Sequence, residues 1–176
     1  MTLSLQNTYT ITKEAKQVLF KDEYGKVVFS ITGKGYLRTT YTIFDTEGKA
    51  IGSFRQTLLA NKPLYFYETG TEQPIAIVSR PLTWIFDIVD PKDTLIAKVD
   101  LTHLKTMATG TYWAIMDKDN NKIAEIKSSF SQNISSKAKE LFTGNEDHTV
   151  NILNKDEIPQ LILLEIIAAL TLLASA

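Results

Sequence analysis

The chain has 176 residues, no cysteine and a formal net charge of −1, with 44% hydrophobic and 22% charged residues. A chain of this length can bury a sizeable core, and its near-neutral charge argues against a nucleic-acid partner, which would require a basic excess. The absence of cysteine excludes disulfides and thiolate chemistry and permits a reducing compartment. We therefore expect one globular domain over residues 1–176.

The N-terminal residues, MTLSLQNTYTITKEA, lack the basic head and the apolar run of a secretory signal. We therefore expect a cytoplasmic protein. Residues 1–12 mix Thr, Leu and Tyr, which predicts a first extended arm.

Five segments then repeat one pattern, in which an apolar run leads into an acidic turn and a second apolar run follows. The runs are rich in Val, Ile, Phe, Tyr and Thr, so each segment is predicted to form a β-hairpin, and five hairpins supply about ten strands. The acids that begin the turns are 23, 23, 22 and 27 residues apart: Asp22, Asp45, Glu68, Asp90 and Asp117.

Three of the turns contain a glycine, and we predict a positive φ or a bulge at each of them: Gly25, Gly48 and Gly70. A polar stretch over residues 131–148 fits a loop or a short helix. A last short strand is predicted over residues 149–153.

The most apolar segment is the last one, IPQLILLEIIAALTLLA over residues 158–174, in which 13 of 17 residues are Ala, Ile or Leu. It is predicted to form a helix that is apolar on every side, which must be surrounded by lipid or by protein. A membrane span needs about 20 apolar residues, and a carboxylate such as Glu165 costs roughly 2.5–3.5 kcal/mol at bilayer depth. We expect a helix buried inside the strands, with a tail anchor as the alternative.

A closed sheet around this helix satisfies both parts, because closure removes the exposed sheet edges and the helix fills the interior. The fold class is therefore mostly β, a closed antiparallel barrel of about twelve strands with 158–174 as its central helix. We predict that Glu165 meets a hydrogen-bond donor from the barrel wall and acts as a structural pin that fixes the rotation of the helix.

The repeated hairpins YTIFDTEGKAIGSFRQ (41–56) and YWAIMDKDNNKIAEIKS (112–128), with the closing helix, resemble the LURP-one-related family of the tubby C-terminal-like superfamily, which includes phospholipid scramblases. The resemblance implies a barrel of about twelve strands around a threaded helix. Tubby-type relatives bind phosphoinositides and scramblase relatives act at membranes, so contact with anionic phospholipid head groups is one expected function. The cysteine cluster and Pro-rich tail of scramblases are absent, which argues against lipid scrambling.

Four basic residues near strand ends or connectors of the first three hairpins are candidates for binding an anionic phospholipid head group, since Arg and Lys suit phosphate. They are Lys34, Arg38, Arg55 and Arg80.

Catalytic and metal chemistry have little support in the sequence. The two histidines, His103 and His148, are far apart and are interpreted as surface or loop residues, and the acids of the Asp117 turn lack the Gly and Glu of a calcium loop. We expect no metal, no cofactor and no enzymatic activity. The expected function is a binding or scaffold domain for an anionic membrane surface or a protein partner, with a small hydrophobic-ligand carrier as the alternative.

Overall fold

The computed structural model describes residues 3–14, 17–34, 39–55, 64–78, 85–100, 112–128 and 147–174. These residues form twelve strands and one helix, α1. In chain order the elements are β1 (Thr8–Glu14), β2 (Gln17–Lys21), β3 (Val27–Lys34), β4 (Thr40–Phe44), β5 (Ala50–Arg55), β6 (Leu64–Glu68), β7 (Ala76–Val78), β8 (Ile85–Val89), β9 (Leu95–Asp100), β10 (Tyr112–Met116), β11 (Lys122–Ser128), β12 (Asp147–Ile152) and α1 (Gln160–Ala174).

The strands form a closed antiparallel barrel, in which each strand pairs with its neighbours in sequence and β1 also pairs with β12. The closing pair is in register from Thr8 opposite Asn151 to Thr12 opposite Asp147. Closure gives the backbone groups of the first and last strands a partner, so neither strand is a free edge. The predicted barrel fold is confirmed.

Four of the five hairpins have the same turn, and an aspartate organises it. Oδ1 of each aspartate accepts the backbone N–H groups of the residues two and four positions later, at 2.8–3.0 Å. The residue three positions later has a positive φ, and a β-bulge lies beside each turn. The four aspartates, each with its left-handed residue, are Asp22 with Gly25, Asp45 with Gly48, Asp90 with Asp93, and Asp117 with Asn120.

The third hairpin, between β6 and β7, is built differently. Gly70 has a φ of 81°, which confirms the last of the three predicted glycine positions. The backbone N–H and the Oγ1 of Thr71 donate to the backbone carbonyl of Glu68 at 3.1 and 2.8 Å. Among the described residues, the Glu68 carboxylate accepts none of the hydrogen bonds that its aspartate counterparts accept.

Helix α1 runs inside the barrel. Its residues from Ile162 to Thr171 are all buried, around the full circumference of the helix. They share one core with inward-facing side chains of the wall such as Phe20, Phe54 and Phe66. The core-helix interpretation explains the continuous apolar run, because every face of the helix is buried.

The helix begins at the end of the barrel that carries the five hairpin turns, called here the turn end. Strand β12 reaches this end at Ile152, and Pro159 then accepts the first helical hydrogen bond, from the N–H of Leu163, at 3.0 Å. The N-terminal segment closes over the same end. The backbone N–H of Leu5 donates to Oε1 of Gln160 at 2.8 Å, and Nζ of Lys155 donates to its carbonyl at 3.2 Å.

Three predicted boundaries are corrected. The helix begins at Gln160 rather than at residue 158, because the first helical hydrogen bond runs from the N–H of Leu163 to the carbonyl of Pro159, which makes Pro159 the N-cap. Strand β12 begins at Asp147, which places His148 in a strand rather than in a loop. The first strand is Thr8–Glu14, with an irregular segment before it.

Candidate functional site: the outer face of β3–β6 and the barrel mouth

Eight side chains on strands β3 to β6 form one surface outside the barrel, called here the β3–β6 outer face. Each strand alternates, so that residues such as Ile31, Ile43 and Phe54 enter the core and their neighbours point outward. Two in-register rows make up this surface: Lys34, Thr40, Arg55 and Tyr65 in one, and Thr32, Thr42, Ser53 and Tyr67 in the other.

The first row brings two cations together. Lys34 is paired with Thr40, and Thr40 with Arg55, so the two basic residues are two strand spacings apart, about 10 Å. Both side chains are exposed. Neither forms an ion pair within the part of the chain that the structure describes. None of the eight residues is acidic, so this surface is locally positive.

The second feature of the surface is aromatic. The guanidinium carbon of Arg55 lies 5.4 Å from the centre of the Tyr67 ring, a cation–π contact. The Tyr65 and Tyr67 rings are 6.5 Å apart. The stacked ring limits the motion of the Arg55 side chain and leaves its N–H groups available for an anion.

The structure therefore brings together two of the four basic residues that the sequence proposed, Lys34 and Arg55. The other two, Arg38 and Arg80, lie outside the described residues.

Glu165 is fully buried, on the face of the helix that is turned towards strand β5. A Cβ on Gly52 would lie 2.7 Å from both Oε1 of Glu165 and Cδ1 of Leu161, so the absence of a side chain at Gly52 makes the room for both groups. Burial raises the pKa of the Glu165 carboxyl to about 9, the backbone N–H of Ser53 lowers it, and the negative charge of Glu68 raises it further. The carboxyl is therefore neutral at pH 7.

We predicted a hydrogen-bond donor for Glu165 from the barrel wall. Among the described residues the candidate is the backbone N–H of Ser53, which lowers the pKa of the carboxyl. Neither carboxyl oxygen makes a hydrogen bond of standard geometry to the described residues. The role of Glu165 as a pin for helix rotation stays a prediction.

A cavity of about 550 Å³ opens at the turn end, beside the start of the helix. Leu3, Phe29 and Leu161 contribute apolar wall, and Asp45, Lys49 and Glu68 contribute charge. Asp45 already uses Oδ1 in its own turn. Glu68 is exposed, and it lies on β6 directly opposite Gly52, the residue on which the Glu165 carboxyl rests.

The interpretation of both histidines as surface or loop residues is wrong for His148, which is 1% exposed and stacks on Trp113 with the ring centres 6.2 Å apart. The period of the strand turns this side chain inward. His103 lies outside the described residues. No cluster of three metal-binding side chains occurs among the residues that the structure describes. The Asp117 segment is a hairpin turn, as predicted.

No helix in the described ranges is long and apolar enough to cross a membrane.

A closed antiparallel barrel of twelve strands around one hydrophobic helix is the class of fold that the resemblance implied. An X-ray structure of a protein from Arabidopsis thaliana has a similar fold, with a TM-score of 0.62 over 95% of this chain and 91% of that chain, at 9% sequence identity. At this identity the likeness establishes the fold alone.

The family model described as LURP-one-related matches residues 1–152. The chain belongs to the LURP-one-related family. A search of curated proteins finds no significant match.

Sequence reasoning missed the two tyrosines of the outer face and the special position of Glu68. The alternation in LYFYE contains a signal for Tyr65 and Tyr67, because Leu64 and Phe66 are the inward residues. Their proximity to Arg55 depends on the pairing register of β5 with β6, which the connector between these strands does not reveal.

Proposed function

We propose that this protein is a non-enzymatic binding domain, which meets an anionic phospholipid surface through the β3–β6 outer face. The single observation that carries the proposal is the in-register pair Lys34 and Arg55, which is exposed, unneutralised by any described acid and set beside two tyrosines. Arg presents a planar fork that suits phosphate oxygens, and Lys adds a mobile point charge. Tyr rings suit the boundary between water and lipid, where one end is apolar and the other polar.

A non-enzymatic role fits the chemistry available. The sequence has no cysteine and only two histidines, and His148 is buried against Trp113. Most nucleophilic arrangements rely on a histidine or cysteine for activation. We infer a cytoplasmic protein that meets the membrane surface peripherally.

The alternative of a carrier that uses the barrel interior receives less support, because α1 occupies the axis of the barrel and packs against its wall. A protein partner with an acidic surface remains the competing occupant of the β3–β6 outer face.

The test is a liposome-pelleting assay at low salt with phosphatidylcholine vesicles, with and without a phosphoinositide. The wild-type protein should pellet only with the anionic vesicles. The double variant Lys34→Ala/Arg55→Ala should reduce the partition coefficient at least about tenfold, because each basic residue near an anionic surface contributes about 1 kcal/mol.

The matched control removes the same charge from the turn end, as Lys92→Ala/Lys118→Ala, since both lysines are exposed and lie in hairpin turns. This control should bind as the wild type does. Equal losses in the two double variants would mean that net charge alone drives association, and an absence of pelleting with anionic vesicles would reject the lipid surface in favour of a protein partner.

A further inference from the structure

The five acids that begin the hairpin turns share a position but not a role. Four aspartates use Oδ1 to hold the backbone N–H groups of their own turns. Glu68 is one methylene longer, and its turn is held by Thr71 instead. The Glu68 carboxylate is therefore available for another interaction, and it lines the mouth cavity.

A second carboxyl lies behind the same wall. Glu165 is 0% exposed and lacks a hydrogen bond of standard geometry to the described residues. Its Oε1 and Cδ1 of Leu161 both lie over Gly52, each 2.7 Å from the place that a Cβ would occupy, and Leu161 lines the cavity. Glu68 is paired with Gly52 across the β5–β6 ladder. Glu68 is therefore the carboxylate that favours a cation in the cavity, while the neutral Glu165 carboxyl lies behind the wall at Gly52.

The rest of the cavity sets the shape of a ligand. Its volume of about 550 Å³ is in the range of small-molecule sites. Phe29 and Tyr9 are almost fully buried and, with Leu161, provide an apolar wall. Lys49 and Asp45 also line the cavity, so the described charges there sum to −1 when Glu68 is ionised and Glu165 is neutral.

We propose that the mouth cavity binds a small amphiphilic amine, with its ammonium group against the Glu68 carboxylate and its apolar body along Leu161, Phe29 and Tyr9. This site is separate from the β3–β6 outer face and opposite in charge preference, so either proposal can fail without the other.

The test uses three probes of equal chain length, n-hexylammonium, n-hexanol and n-hexanoate, added to the full-length protein labelled with 15N. Hexylammonium should bind saturably and shift the backbone amide signals of Gly52, Glu68 and Thr69. Hexanol should bind at least about tenfold more weakly, because it lacks the charge-assisted hydrogen bond to the carboxylate. Hexanoate should be excluded by the same carboxylate.

The variants Glu68→Gln and Glu72→Gln form a matched pair, since both acids are exposed and belong to the same hairpin, but Glu72 is not among the residues that line the cavity. Glu68→Gln should lower the affinity for hexylammonium by about tenfold, and Glu72→Gln should leave it unchanged. Equal affinity for the amine and the alcohol, equal effects of the two variants, or no saturable binding of hexylammonium would each overturn the proposal.

Discussion

Asp117 and Glu165 are both carboxylic acids that are almost completely shielded from solvent, yet their pKa values move in opposite directions. Asp117 receives a hydrogen bond from the Asn121 side chain, 2.8 Å long, and further bonds from the backbone N–H groups of Asn121 and Asp119, which together lower its pKa despite burial. Glu165 makes no hydrogen bond of standard geometry to the described residues, and burial raises its pKa to about 9. The supply of donors, rather than burial itself, decides which form of the acid is stable.

This difference separates two regions of the molecule. At the turn end, backbone N–H groups of the turns donate to an aspartate carboxylate, so the ionised form of the acid stabilises the turn. Inside the barrel, burial outweighs the one backbone N–H that acts on Glu165, that of Ser53, so the acid carried by the helix keeps its proton.

The largest expected effect is the pH dependence of stability that Glu165 imposes. The unfolded chain ionises this acid near 4.5, whereas the folded protein retains its proton up to about 9. The stability is therefore fully present below pH 4.5 and falls by several kcal/mol as the pH rises towards 9.

Urea unfolding between pH 5 and pH 9 should show this fall in the wild type, and Glu165→Gln should lack it because an amide does not ionise. The difference in unfolding free energy between the two proteins isolates Glu165, because the contributions of the other titrating groups cancel. A constant difference across this range would contradict the buried, neutral state of Glu165.

The next effect concerns the contact between Glu165 and strand β5. Gly52→Val should destabilise the protein by about 1–3 kcal/mol, because even one Cβ at this position would lie 2.7 Å from Oε1 of Glu165 and from Cδ1 of Leu161. Ser53→Ala, on the neighbouring outward position, should change the stability by less than about 0.5 kcal/mol. Chemical denaturation measures both, and a Gly52→Val protein as stable as the wild type would show that the helix is free to rotate.

Asp117→Asn tests the other side of the comparison. Because folding lowers the pKa of Asp117, its ionised carboxylate stabilises the fold at pH values above 3.8, the ordinary pKa of the group. This contribution is lost as the pH falls through the lower pKa of the folded state. The variant should therefore melt at a lower temperature than the wild type at pH 7 and at an equal temperature in strong acid. Identical melting temperatures at pH 7 would mean that the charge on Asp117 does not stabilise the turn.

The smallest expected effect concerns the backbone conformation of the Asp45 turn, at Gly48, rather than the aspartate itself. Gly48 has a φ of 75°, a left-handed conformation that costs a residue with a side chain about 1–2 kcal/mol. Gly48→Ala should lose this amount in thermal or urea unfolding, while Glu47→Ala, at an exposed position of the turn, should be near neutral. Equal stability of the two variants would mean that the turn tolerates a side chain at its left-handed position.

Much of the fold was predictable because its signals are local. An aspartate followed three residues later by Gly, Asp or Asn marks four of the turns, and alternating apolar runs mark the strands beside them. The all-apolar segment predicted the central helix, although its first residue is Gln160, after the N-cap Pro159.

The site was only partly predictable because it depends on register and on contacts between distant residues. Lys34 and Arg55 are 21 positions apart and become neighbours only through the pairing of β3, β4 and β5. Glu68 looked like the other turn acids, since its different role follows from the Thr71 hydrogen bonds and from the position of Gly52 opposite it. The sequence predicted His148 to be an exposed polar residue, whereas the alternation of β12 places its side chain against Trp113.

The protonation state of Glu165 is tested directly by an NMR titration of its side-chain carboxyl carbon, assigned by comparison with Glu165→Gln. If burial keeps the Glu165 carboxyl neutral, its carbon should keep the chemical shift of a protonated carboxyl through pH 7 and titrate near 9. A midpoint near 4.5, the ordinary value of a glutamate, would show that water or a strong donor reaches the group and would contradict its buried, neutral state.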